Sequence, residues 1–118
     1  MSSYNHLLDG GYDWQRNGKS VREQGYTTDL IGSEMERLIR GRDKTRPFFG
    51  YVAFNAPHTP LEAPADEIER YARIQDPARR TYAAIVSIMD GRIGRLLGTL
   101  DGCATQKRGC GGFLLLAV

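Results

Sequence analysis

The sequence predicts an α/β fold, and three observations carry that expectation. Residues 48–54, FFGYVAF, are nearly continuously apolar or aromatic and are stopped by Asn55, Pro57 and Pro60, which is how a central strand covered on both faces reads. Tyr82, Ile85, Val86, Met89, Ile93, Leu96, Leu97 and Leu100 recur at three- and four-residue intervals, the spacing of one face of an α-helix. A second helical pattern lies just before the strand, and a helix-then-strand order is typical of α/β folds.

Asn17-Gly18 stands between two short segments carrying Tyr12, Trp14 and Val21, and Asn-Gly is the strongest short-range hairpin signal, so residues 12–26 predict a small peripheral β-hairpin. Thr27, Thr28 and Asp29 offer N-cap side chains to a helix whose apolar face is Leu30, Ile31, Met35, Leu38 and Ile39, with Glu34, Glu36 and Arg37 outside and Gly41 as its stop. The charged connection GRDKTR leads into the strand at 48–54. Beyond the strand, the loop presents His58 between two prolines. In open α/β sheets ligands bind beyond the carboxyl ends of the strands, so this imidazole is placed for chemistry.

Pro64 suits the first turn of a short helix with Ile68, Tyr71 and Ala72 on one side. Asp76-Pro77 starts the long helix, which runs to about Leu100. Gly91, Gly94 and Gly98 interrupt it at a cost of roughly 1 kcal/mol each relative to alanine, for which close packing against a neighbour would compensate. From Gly102 the composition changes to a glycine-rich, basic stretch, and the closing FLLLAV has the character of another buried strand.

Composition narrows the function classes. Sixteen basic and fourteen acidic residues leave a formal charge of +2, with no basic stripe for nucleic acid. Cys103 and Cys110 suit neither a zinc site nor a disulfide scaffold. No basic region followed by an apolar core marks a secretory signal near the start, and a six-residue apolar run falls far short of the ~20 residues of a membrane-spanning helix. The glycine pairs lack the spacing of a phosphate-cradling loop. The acidic cluster Asp66, Glu67 and Glu69 beside Arg70 and Arg73 reads as a solvated helix face with i,i+3 and i,i+4 pairs. Asp90 reads as a cap or ion-pair partner, His6 as part of a frayed terminus, and Trp14 and Tyr12 as hairpin packing. Asn55 could orient His58 or simply close a turn.

The block PFFGYVAFNAPHTPLEAP, with GYTTDLIGSEMERLIR before it and YAAIVSIMDGRIGRLLGTLD after it, closely resembles the middle of the catalytic domain of bacterial arylsulfatases, in the alkaline phosphatase-like superfamily. The resemblance covers residues 4–101 and implies part of a three-layer α/β/α sandwich from a hydrolase of sulfate esters. It also implies calcium and a formylglycine nucleophile in the intact family, a small-molecule or sugar sulfate ester as substrate, and a family whose members are commonly exported. One functional position carries over: His58, in APHTP, matches the histidine that contacts the sulfate and assists departure of the alcohol.

The sequence departs from the family pattern elsewhere. Neither cysteine begins a C-x-P-x-R signature, the G-K-W-H segment and the early aspartate pair are absent, and no S-D-N-G-G follows the apolar run, so no metal ligand and no cofactor site is expected on this chain alone. Residues 102–118 read as a divergent tail of the kind that a frameshift or truncated frame produces. The expectation is therefore a catalytically silent sulfatase segment. Two rivals remain: a non-catalytic module that associates through exposed sheet edges, and part of a related phosphonate or phosphodiester hydrolase.

Overall fold

In the computed structural model, the described residues are 7–8, 11–104 and 116–117. Three short strand pairs and two long helices organise them. β1 (Leu7–Leu8) pairs antiparallel with β2 (Gly11–Tyr12), and β3 (Gln15–Arg16) pairs antiparallel with β4 (Lys19–Ser20). The turn between β3 and β4 is Asn17-Gly18, with φ of 53° and 74°. Positive φ at both central residues is what a type I′ turn requires, so the hairpin stands where the sequence puts it.

Helix α1 (Thr27–Gly41) starts one turn before its first apolar residues. The three N-cap candidates do not cap it. Tyr26 occupies the N-cap position without a side-chain hydrogen bond, Thr27 and Thr28 are fully buried, and Asp29 turns to the neighbouring helix. The reason is tertiary for two of them: Thr27 binds Asn55 and Asp29 binds Arg92, whereas the buried Thr28 hydroxyl has no hydrogen-bond partner among the described residues. The helix stops at Gly41 as expected, although Leu38 on its supposed apolar face is half exposed.

The strand expected over 48–54 is much shorter, since β5 is only Val52–Ala53. Val52 and Phe54 are buried, whereas Phe49 is 92% exposed and Tyr51 59% exposed. This is the period-two pattern of a strand with one covered face, so the apolar run signals one buried face and one open one. Among the described residues, β5 pairs in parallel with β6 (Leu116–Ala117) alone, Val52 opposite Leu116 and Ala53 opposite Ala117. Of the closing apolar segment, the two described residues, Leu116 and Ala117, form a strand.

Helix α2 (Ala65–Glu69) follows Pro64, which sits just before the helix rather than inside its first turn. α3 (Pro77–Ala104) continues four residues beyond Leu100. Asp76 caps it, its Oδ1 accepting the Arg79 amide at 2.9 Å. α1 and α3 pack along each other, and the core forms where they meet β5: Ile39, Val52, Phe54 and Leu96 are buried together, flanked by Ile31, Met35, Met89, Ile93, Leu100 and Cys103. Ile85 and Leu96 bear out the helical periodicity, but Tyr82 and Leu97 are about half exposed.

A Cβ at Gly91, Gly94 or Gly98 would meet nothing within 4 Å among the described residues, so those glycines do not mark close packing. The tight glycine is on the other helix. A Cβ at Gly32 would stand 3.0 Å from Arg92 Cδ, where Arg92 crosses from α3 to bind Asp29 at 2.5 Å and lies 3.8 Å from Glu36. Asp90, expected as a cap or ion-pair partner, lies exposed on α3, and the interhelical ion pair runs through Arg92 instead. His6, Cys110 and the tail at 105–115 lie outside the described residues.

Candidate active site

His58 sits in an exposed loop directly after β5, and its placement follows from the backbone around it. The His58 amide donates to the Asn55 carbonyl at 3.0 Å, closing a four-residue turn that reverses the chain as it leaves the strand. The Ala56-Pro57 and Thr59-Pro60 peptides on either side are both cis. Ring Nδ1 lies 2.7 Å from the Thr59 carbonyl oxygen. A carbonyl oxygen only accepts, so Nδ1 must carry the hydrogen in that contact and Nε2 is the nitrogen left for a ligand.

Two buried hydroxyls, one from the residue before α1 and one from its first residue, hold the segment that carries the ring. Thr27 Oγ1 donates to Asn55 Oδ1 at 2.9 Å, and the Tyr26 hydroxyl donates to the Glu62 carbonyl at 2.8 Å. Thr27 is 0% exposed and Tyr26 4%. The Asn55 side chain is thus directed to α1, not to His58, while its carbonyl serves the turn. Neither Tyr26 nor Thr27 stands out as a site residue in the sequence, because tyrosine and threonine before an apolar run read as strand end and helix cap.

The remaining polar candidates serve the surface. Glu67 and Arg70 pair at 2.9 Å along their helix, as their spacing predicts. Trp14 Nε1 donates to Glu23 at 2.7 Å, within the hairpin region. Glu34 accepts from Arg37 and lies 3.6 Å from Arg16 of the hairpin. The Arg37 hydrogen bond holds the Glu34 carboxyl below the usual carboxylate range, outweighing the opposing effect of burial with help from the charges of Arg16 and Arg37.

A cleft of about 390 Å³ lies away from the histidine, between β3, the outer side of α1 and β5, with Trp14, Met35, Leu38 and Tyr51 among its walls. That cleft holds no convergent set of reactive groups, whereas the end of β5 places an imidazole on a braced loop. Among the described residues, no group of three or more His, Cys, Asp or Glu side chains could hold a metal ion. The oxygen-rich carboxylate set that calcium takes is not assembled among them.

The family model for Sulfatase matches residues 2–106. The chain belongs to the sulfatase family. It is 35% identical over 86 residues to arylsulfatase J of Mus musculus, covering 70% of this chain and 14% of the relative. It is also 32% identical over 81 residues to a sulfatase of Formosa agariphila, covering 64% and 15%. Among solved structures, Ps i-CgsB superposes with a TM-score of 0.72 at 34% identity, over 81% of this chain and 22% of that one, both alone and in complex with k-i-k-neocarrahexaose. The sulfatase chain described here therefore spans less than a quarter of these relatives, and its helices and short sheets are part of an alkaline phosphatase-like α/β fold. No described helix is long and apolar enough to cross a membrane.

Proposed function

We propose that this sulfatase chain contributes His58 to the hydrolysis of a sulfate ester, with Nε2 facing the sulfate. The observation that carries the reading is the imidazole on a turn at the carboxyl end of β5, with Nδ1 engaged by Thr59 and Nε2 left over. An imidazole so held can donate from Nε2, as imidazolium, to a sulfate oxygen or to the departing alkoxide. The complex of Ps i-CgsB with a neocarrahexaose supports a sugar sulfate as the substrate class.

Hydrolysis also needs an activated nucleophile and cationic stabilisation of the sulfuryl oxygens. In the family, formylglycine and calcium supply these. This chain supplies the proton-donating part from residues 4–101, with 102–118 as a divergent tail, and the 118 residues alone are catalytically silent. The experiment is a pair of assays with a chromogenic aryl sulfate and calcium. The isolated chain should give no turnover above buffer, and turnover would sink the claim of silence. Replacing the matching segment of arylsulfatase J by this chain's segment should give a working chimera that loses about 10²-fold to 10⁴-fold on His58→Ala. Equal rates for the two chimeras would remove His58 from the reaction.

A further inference from the structure

We propose that Tyr26 and Thr27 are positioning residues for His58, acting as a two-point clamp on the loop that carries it; the inference rests on the reading of His58 given above. The His58 loop is held near both its ends. Thr27 binds Asn55 at its start and Tyr26 binds Glu62 near its finish, so two adjacent residues fix the span within which His58 sits. Both are nearly or wholly buried, where a hydroxyl bond is shielded from competing water.

The clamp has a firm base. Thr28, the next residue, is 0% exposed, and Asp29 is tied to α3 by Arg92. From that base the bracing reaches the ring in two short steps. Asn55, held by Thr27 through its side chain, accepts the His58 amide with its carbonyl, and the Thr59 carbonyl, inside the clamped span, takes ring Nδ1–H. With the loop span fixed, the ring keeps one neutral tautomer and turns Nε2 outward. A purely structural role would predict that losing either hydroxyl lowers stability without altering the ring.

The test reads the ring directly. The 118-residue chain is labelled with ¹⁵N-histidine, and His6→Gln assigns the two imidazoles. In the wild type the neutral His58 ring should be mainly Nδ1-protonated, the reverse of free histidine. Removing one hydroxyl by Thr27→Val or Tyr26→Phe should shift the tautomer ratio about fivefold toward Nε2–H, the factor expected for one net hydrogen bond. Thr27→Ser, which keeps the hydroxyl, should restore the ratio, while methyl signals of Ile39 and Leu96 report an intact core. Should Thr27→Val disturb those signals, Tyr26→Phe decides. A wild-type ratio like that of free histidine, variants that leave the ring unchanged, or no restoration by serine would each overturn the clamp. Aryl sulfate turnover plays no part in this readout, so failure of the hydrolase reading and failure of the clamp give different results.

Discussion

At the scale of single residues, the chain shows how one side chain acquires a direction. His58 is exposed, and an exposed ring ordinarily samples several rotamers. The turn bond from its own amide and the carbonyl of Thr59 restrict it, and the hydroxyls of α1 stand behind both. Gly32 illustrates the opposite constraint, because Arg92 needs the space that a side chain would fill. Gly32→Ala should therefore destabilise by roughly 1 kcal/mol or more, by crowding Arg92 away from Asp29. Gly94→Ala, on an open part of α3, should stabilise by about 0.5–1 kcal/mol through helix propensity and a less flexible unfolded chain. Urea denaturation of both variants checks the contrast, and a stabilised Gly32→Ala would contradict the interhelical contact.

At the scale of elements, helix α1 links the hairpin to the core. Glu34 joins Arg37 on its own helix and approaches Arg16 on the hairpin. Its folded-state pKa is lowered, so its contribution is complete above the unfolded carboxylate value and is lost as pH falls through the lower folded one. Because the pair is partly exposed, the loss should be modest, about 0–1 kcal/mol, and weaker in salt. Comparing the acid limbs of wild type and Glu34→Gln by chemical denaturation between neutral and acid pH checks this, and superimposable limbs would exclude the linkage.

How far the elements were legible depends on how local their causes are. The Asn17-Gly18 turn, the period of α3 and its start at Asp76-Pro77 are local and read directly from sequence. The length of β5 is not, because pairing depends on neighbours remote in the chain, and an apolar run looks the same whether one face or both are covered. His58 was visible from its family match, but the α1 hydroxyls that brace it were not, since nothing in local spacing ties residues 26 and 27 to 55 and 62.

At the scale of the whole molecule, the buried core is slender. The Cα radius of gyration is 16.2 Å, against about 13.5 Å for a compact domain of this length. Phe49, Tyr51 and Leu38 remain exposed beside a sheet that shows two strands among the described residues. The chain by itself should self-associate as concentration rises, and Phe49→Lys should weaken that association in sedimentation velocity; a concentration-independent monomer for the wild type would contradict it. Trp14 is the sole tryptophan, it is bonded to Glu23, and it lines the cleft between β3, α1 and β5, of which His58 is not a wall. Its fluorescence is therefore an optical gauge of how the hairpin region sits on α1 and β5, read without any added label.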